Sequence, residues 1–147
     1  MRKRKGFTLI EMMIVVAIIA LLATIAIPNY ISFQYRAKTS EAKSNLGAIR
    51  TCEEAYRAEQ DKYLACGVNP AAIPAGVKAD WLADQAGWTD IGFEPKGKIY
   101  YQYQVTTSGT PATAFLAYAR GNLDNDAVTS TFTLDQDGEL KSTNPLE

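Results

Sequence analysis

The sequence predicts an α+β fold in which one long N-terminal α-helix packs, through its second half, on a small antiparallel β-sheet. Three features support this prediction. An apolar run extends from Phe7 to Ile27, a helix-favouring stretch without proline extends from Ile31 to about Tyr63, and strand-like segments follow towards the C-terminus. A chain of 147 residues is long enough for one small domain and an anchor.

The apolar run is long enough to cross a membrane, because about 20 apolar residues at ~1.5 Å rise each span the hydrocarbon core of a bilayer as a helix. A basic cluster precedes the run and would hold that end of the chain in the cytoplasm. Its members are Arg2, Lys3, Arg4 and Lys5. We therefore predict that the first half of the helix is a transmembrane segment and that the rest of the chain lies on the opposite side of the membrane from the basic cluster.

Glu11 does not fit a generic membrane helix, because an acidic residue at a helix centre costs roughly 2.5 to 3.5 kcal/mol on insertion scales. No lysine or arginine lies between Phe7 and Tyr35 to pair with it. Cleavage after Gly6 would create a partner, the α-amine of Phe7, which could pair with Glu11 within a single helix or between neighbouring subunits. At an effective dielectric of about 20, such a pair ~4 Å apart is worth roughly 4 kcal/mol before desolvation. The sequence therefore predicts a segment that is processed and then associates with its own copies.

The spacing of apolar residues predicts one helix from about Thr8 to about Gln60, disturbed at Pro28, because a proline inside a helix removes a backbone hydrogen bond. At ~1.5 Å per residue this helix would be about 80 Å long, longer than a small head can cover. Its first half would lie in lipid in the monomer and be buried by other copies in a filament. Its second half has one apolar face: Ala42, Leu46, Ile49, Cys52 and Tyr56.

A specific resemblance lies in residues 5–11, which read KGFTLIE and are similar to the cleavage and methylation signal of type IV pilins and the related pseudopilins. The resemblance implies that a prepilin peptidase cuts between Gly6 and Phe7 and methylates the new amine of Phe7. It also implies that Glu11 sets the register of assembly by neutralising the N-terminus of an adjacent subunit. Pro28 matches the helix-kinking proline of that family.

The resemblance implies a pilin fold and a structural subunit of a type IV pilus, serving adhesion, twitching motility or DNA uptake. The implied partners are copies of the chain itself, prepilin peptidase, and the inner-membrane assembly platform with its ATPase. The precursor would be a single-pass inner-membrane protein with its head in the periplasm, and the assembled product an extracellular filament. The implied parts are a leader at residues 1–6, a transmembrane and filament-core segment at 7–30, and a head at 31–147.

Several other functions compete with this one. A pseudopilin of a type II secretion system shares the same N-terminal motif, and a membrane-anchored periplasmic binding module explains the apolar run without polymerisation. An ordinary signal peptide or a plain anchor does not account for Glu11. An enzyme has little support, because the sequence has no histidine, no nucleophile motif and no glycine-rich phosphate loop. Without the basic cluster, 11 basic residues face 16 acidic ones, so nucleic-acid binding by the isolated subunit is not expected.

The head is predicted to begin with a loop-rich stretch from Cys66 to Pro95, which contains a short helix near residues 78–85. Trp81 and Trp88 are expected to pack between the stem helix and the sheet; the alternative is that they form a ligand platform. Strands are predicted at residues 98–105, 114–120, 130–134 and 139–141. The side chains expected to face the stem are Ile99, Tyr101, Tyr103, Val105, Ala114, Leu116, Tyr118, Phe132 and Leu134.

Two further candidate sites belong to the head. Cys52 and Cys66 would face an oxidising periplasm, where we expect a structural disulfide worth about 3 kcal/mol, with two buried free thiols as the alternative. The loop residues Asn122, Asp124 and Asp126 form a weak calcium candidate. We favour turns there, because Asx side chains bond their own backbone without a metal. No cofactor is therefore expected.

Overall fold

The structure is a computed structural model that describes residues 6–83 and 85–144. The basic leader residues of the cleavage signal lie outside the described residues. The chain clusters into two compact units, Met1–Gln34 and Tyr35–Glu147. Helix α1, Leu9–Gln60, contributes 52 residues and continues through Pro28. The predicted long helix is confirmed, and it begins one residue later than expected.

In the first unit, no residue from 6 to 34 is buried, and only Ala23 and Ser32 have intermediate exposure. An 18-residue window of α1 has a mean hydropathy of 2.8, and none of that window is buried. By length and composition, α1 is therefore able to cross a membrane. The large apolar side chains of this unit have no covering surface within the described chain.

The second unit contains a five-stranded antiparallel sheet in the order β1-β2-β3-β4-β5. Its strands are β1 (Cys66–Asn69), β2 (Gln102–Ser108), β3 (Ala114–Gly121), β4 (Ser130–Asp135) and β5 (Leu140–Thr143). The four predicted strands are confirmed as β2 to β5, although β2 begins at Gln102, four residues later than predicted. Because each strand pairs with its neighbour in sequence, the sheet is a meander with short connections between β2 and β5.

The segment predicted as a loop departs from expectation in two places. Cys66–Asn69 forms edge strand β1, which pairs with β2 through an irregular register. The short helix expected near residues 78–85 is wrong, since the described residues there are not helical; a four-residue helix α2 lies instead at Trp88–Ile91. The first of these changes depends on a long-range contact, because β1 exists only through its pairing with β2.

The inner face of β3 also differs from the prediction. Ala114, Leu116 and Tyr118 have intermediate exposure, and the buried members of the strand are Phe115, Ala117, Ala119 and Gly121. Both alternating sets are largely apolar, so a period of two could not choose between them. Packing determines which set of β3 side chains is buried, because small residues there lie opposite large ones: Ala119 pairs with Tyr103. A Cβ on Gly121 would lie 2.7 Å from ring atoms of Tyr101.

The second half of α1 packs on the sheet through the predicted face. Its buried residues are Thr39, Ala42, Leu46, Ile49 and Glu53. Polar contacts also join the two layers, since Asn45 Nδ2 donates to the Tyr103 hydroxyl at 2.9 Å and Arg50 Nε donates to the Gln136 carbonyl at 3.1 Å. The predicted α+β fold is thereby confirmed, with a buried acid that the apolar pattern did not include.

The two tryptophans belong to the head's apolar core. Trp88 is 1% exposed, and its indole N–H donates to the carbonyl of Gly67 at 2.8 Å. Trp81 packs edge-on against Trp88 at 5.1 Å between ring centroids and against Phe93 at 5.6 Å. The packing interpretation is confirmed for Trp88, because a ring this buried has no open face for a ligand.

Candidate assembly segment and candidate head sites

The predicted cleavage position lies just before α1. Gly6 and Phe7 are outside any helix or strand, and the Phe7 side chain is 77% exposed. A peptide bond in an exposed, irregular segment is accessible to a peptidase without unfolding of the helix. This geometry is compatible with processing between the two residues, which stays a prediction.

Glu11 is held by the first turn of its own helix. Thr8 N–H and Thr8 Oγ1 both donate to Glu11 Oε2, at 2.8 and 2.6 Å, and Thr8 Oγ1 lies 3.3 Å from the backbone N of Glu11. This is a capping box, the arrangement in which an N-cap threonine and the glutamate three residues later satisfy each other's backbone N–H. The acid therefore has a local partner as well as the α-amine that processing would supply.

Pro28 lies inside α1, where helix is present on both sides. The Ser32 hydroxyl donates to the Pro28 carbonyl at 3.2 Å, a contact of the kind that accompanies bending in helices. The role of Pro28 as the helix kink stays a prediction.

The two cysteines are free thiols in the structure, so the predicted disulfide is not formed in it. Cys66 Sγ donates to Glu53 Oε1 at 3.9 Å and lies 3.8 Å from the Leu64 carbonyl. Burial, together with the charge of Glu53, raises the pKa of both thiols. Low thiolate content slows exchange chemistry at these sulfurs. The alternative of two buried free thiols fits Cys66, which is buried, better than Cys52, which is half-buried.

Oxidation in the periplasm stays our prediction for this pair, since the compartment favours disulfides. In protein purified without reductant and then denatured, we expect neither cysteine to react with iodoacetamide until a reductant is added. Mass spectrometry of the peptides containing Cys52 and Cys66 measures this. Alkylation of both cysteines in the unreduced sample would contradict the bridge.

The carboxyl group of Glu53 is the buried acid of the head. Glu53 is 0% exposed, and its Oε2 accepts a hydrogen bond from Leu64 N–H at 3.0 Å. Removal from water raises its pKa to about 7, with neighbouring Glu54 adding to the shift, while the bonds from Leu64 and Cys66 oppose it. Through the hydrogen bond from Leu64, the Glu53 carboxyl group joins the last turns of α1 to the segment that leads into β1. Protonation of Glu53 therefore affects the contact between these two segments.

The calcium candidate is a set of turns in which side chains serve the loop's own backbone. Asn122 Nδ2 donates to the Asp126 carbonyl at 2.7 Å, and Asp126 Oδ1 accepts from Val128 N–H at 2.6 Å. Asp124 Oδ1 accepts from Asp126 N–H at 3.5 Å. Among the described residues, no group of three or more His, Cys, Asp or Glu side chains is arranged to hold a metal. The geometry favours the turn interpretation.

We expect calcium to leave the stability of the head unchanged, because one oxygen each of Asp124 and Asp126 already accepts a hydrogen bond from a backbone N–H group. Within the described part of the chain, the Asn122 Oδ1 atom is buried without a hydrogen-bond partner, which makes calcium binding at this loop worth testing. Thermal unfolding of the full chain in detergent, with excess calcium or with chelator, measures this. A melting temperature several degrees higher in calcium, lost on changing Asp124 and Asp126 together to Asn, would contradict it.

The sequence of this chain is similar to those of several known proteins. A family model described as the prokaryotic N-terminal methylation motif matches residues 1–27. A type IV major pilin protein of Myxococcus xanthus is 59% identical over 106 residues, which is 72% of this chain and 39% of that protein. A fimbrial protein of Pseudomonas aeruginosa is 51% identical over 93 residues, 62% of this chain and 60% of its own length.

This chain is similar to type IV major pilins over part of their length. A type IV wide pilus major component of Thermus thermophilus is also similar, at 40% identity over 80 residues, 54% of this chain and 59% of that protein. The matched region thus spans between about two fifths and three fifths of these three pilins' lengths. The methylation motif includes the predicted cleavage position and Glu11.

Two features of the structure were not predicted from the sequence. The capping box had a readable signal, because Thr8 followed three residues later by Glu11 matches its pattern before an apolar run. The burial of Glu53 had a weaker signal. It lies four residues after Ile49 on the apolar face, but charged residues are almost never fully buried without a partner, so the pattern argues for exposure.

Proposed function

We propose that this chain is the structural, non-catalytic subunit of a type IV pilus, processed between Gly6 and Phe7 and polymerised through the first half of α1. The observation that carries the proposal is the exposed apolar segment with Glu11 as its only charged residue between Phe7 and Gln34. An apolar surface of this length is stable only in lipid or against other copies of itself. Glu11 supplies the charge that a new α-amine would neutralise.

The apolar surface of α1 would hold the subunit in the membrane before assembly and join subunits in the filament afterwards. In the precursor, the apolar half of α1 would span the inner membrane, with the basic leader in the cytoplasm and the head in the periplasm. After prepilin peptidase removes the leader, the assembly platform and its ATPase would move subunits from lipid into a helical bundle. Because the lipid and the helical bundle are both apolar, the transfer of a subunit between them costs little hydrophobic free energy. The pairing of Glu11 with an amine would then favour the bundle over the lipid.

The names of the relatives favour an abundant surface filament over a short secretion fibre, since they are called major pilins or fimbrial protein. We infer that the filament is assembled mainly from this chain and that, like other pili, it acts at the cell surface. No enzymatic role is proposed, because the polar clusters described in the head serve its own packing and turns.

Immunogold electron microscopy of cells with an antibody to the head tests this function. We expect long surface filaments labelled along their length, and none in a deletion strain. Short periplasmic fibres with a secretion defect on deletion would favour the pseudopilin instead. Label confined to the membrane in wild-type cells would contradict polymerisation and favour the anchored binding module.

A further inference from the structure

A buried carboxyl group and two thiols lie together where the last turns of α1 meet the start of β1. Cys66 is 2% exposed and Glu53 is 0% exposed, whereas Cys52 is half-buried. Cys66 Sγ donates to Glu53 Oε1 at 3.9 Å, and Cys52 lies near enough for its charge to raise the pKa of the Cys66 thiol. The three side chains therefore form one cluster, in which a carboxyl group contacts the thiol that is shielded from solvent.

The two thiols differ in their accessibility to an oxidant. The backbone of Gly87 closes over Cys66, since a Cβ at that glycine would lie 2.9 Å from Cys66 Sγ. Thiol–disulfide exchange depends on access to the attacking sulfur as well as on its thiolate content. An external disulfide therefore reaches Cys52 first, and Cys66 is left to react with the mixed disulfide formed at Cys52.

Cys66 must lose its proton as its sulfur becomes a nucleophile. Burial, together with the charge of Glu53, raises the pKa of this thiol, so its thiolate fraction is low at neutral pH. Among the residues that the structure describes, the thiol contacts two acceptors, the Leu64 carbonyl at 3.8 Å and Glu53 Oε1 at 3.9 Å. Of these two, the carboxylate is able to take up the proton. Burial raises the pKa of Glu53 to about 7, which suits a general base that works near neutral pH.

We propose that Glu53 is the proton acceptor for closure of a disulfide between Cys52 and Cys66. In the first step, the Cys52 sulfur attacks an external disulfide, forms a mixed disulfide and releases one thiolate. In the second step, Cys66 Sγ attacks the Cys52 sulfur, its proton passes to Glu53 Oε1, and a second thiolate leaves. The two cysteines lose two electrons and the external disulfide is reduced to two thiols, with protons returned by Glu53 and the solvent. This inference does not depend on filament assembly.

The test follows oxidation of the reduced full chain in detergent by excess glutathione disulfide at about pH 8. Intact-mass spectrometry of acid-quenched samples separates the reduced chain, the glutathione adduct and the bridged chain, and so gives the rate at which the adduct closes. Glu53→Gln keeps an acceptor for the Leu64 N–H but cannot take up a proton. We expect its adduct to close at least about tenfold more slowly than that of wild type.

A purely electrostatic role of Glu53 predicts the opposite sign. Removing a negative charge beside Cys66 would lower the pKa of the thiol and speed closure. Closure of Glu53→Gln as fast as wild type or faster would therefore overturn the proposal, as would a wild-type chain that forms no bridge. Asp90→Asn is the matched control, because Asp90 is exposed on α2 and acts on Cys66 through its charge. Its adduct should close no more slowly than that of wild type.

The pH profile separates proton transfer from a change in packing. Glu53 accepts a proton only when ionised, so the ratio of the wild-type closure rate to that of Glu53→Gln should grow as pH rises through about 7. The other groups whose charges act on the cluster are Glu54 and Cys52 from α1 and Asp90 from α2, and they are present in both chains. A ratio that stays constant with pH would contradict the proposal.

The wild-type profile decides the matter if Glu53→Gln does not fold, which tryptophan fluorescence reports. With Glu53 as acceptor, closure should level off above about pH 8, once the carboxyl group is fully ionised. A rate that keeps rising about tenfold per pH unit would instead show that free thiolate at Cys66 is the nucleophile.

Two single-cysteine variants test the order of the steps. Cys66→Ser should keep a glutathione adduct at Cys52, whereas Cys52→Ser should acquire one at Cys66 at least about tenfold more slowly, because Cys66 is buried. Faster reaction at Cys66 than at Cys52 would overturn the proposed order.

Discussion

Replacing Glu11 with alanine is expected to abolish filament formation while leaving a processed subunit in the membrane. The acid is the only charged group in the exposed apolar segment from Phe7 to Gln34, and its pairing with an α-amine at ~4 Å is worth roughly 4 kcal/mol before desolvation. Even a net loss of about 1.4 kcal/mol per subunit lowers an association constant tenfold. Sheared-filament yield, measured against the membrane pool of processed subunit, reports the effect.

Glu11→Gln separates the loss of charge from the loss of the helix cap. Glutamine fits the same capping box as glutamate, so it keeps the helix start while removing the charge. If charge neutralisation drives assembly, Glu11→Gln should abolish filament formation, as Glu11→Ala is expected to do. Normal filaments with Glu11→Gln would show that hydrogen bonding and capping suffice, and the ion-pair account would be wrong.

Glu53→Gln is expected to make the head more stable at and above neutral pH and to remove a pH dependence. The buried carboxyl has its pKa raised to about 7 from an ordinary 4.5, so the folded state keeps its proton in a range where the unfolded state has lost it. The contribution of this group to the free energy of unfolding is therefore greatest below about pH 4.5. It is lost between about pH 4.5 and about pH 7, by about 3 kcal/mol in all. Glutamine stays neutral and can accept the Leu64 hydrogen bond.

Urea unfolding of the full chain in detergent, followed by tryptophan fluorescence between pH 5 and pH 8, measures this difference. The quantity compared is the change in unfolding free energy across the range, wild type against variant. Glu59→Gln is the matched control, because Glu59 is exposed on the same helix and should leave the slope unaltered. Other groups near Glu53, namely Glu54, Cys52 and Cys66, are present in every variant. Equal slopes for wild type and Glu53→Gln would contradict a buried, titrating acid.

The long, exposed apolar helix at the N-terminus was predictable because its signals are local. A long apolar run, a glutamate at a fixed distance from Phe7 and a glycine before it can be read directly from the sequence. The stem's buried face was predictable for the same reason, since Ala42, Leu46 and Ile49 recur with helical spacing and are all fully buried.

The parts that could not be predicted depend on contacts between distant segments. Strand β1 contains Gly67 and is completed by an irregular pairing with β2, which local propensity does not encode. In β3, the choice between Tyr118 and Ala119 for the inner face depends on the volume of Tyr103 opposite. Glu53 is buried because Leu64 and Cys66 supply donors from the segment that leads into β1.

The N-terminal residue of subunits recovered from purified filaments tests the central claim most directly. Intact-mass and peptide mass spectrometry should find a chain that begins at Phe7, carries one methyl group on its amine and lacks residues 1–6. A filament subunit that still carries Met1, or one that begins beyond Ala26, would leave Glu11 without the amine on which assembly depends and would contradict the account.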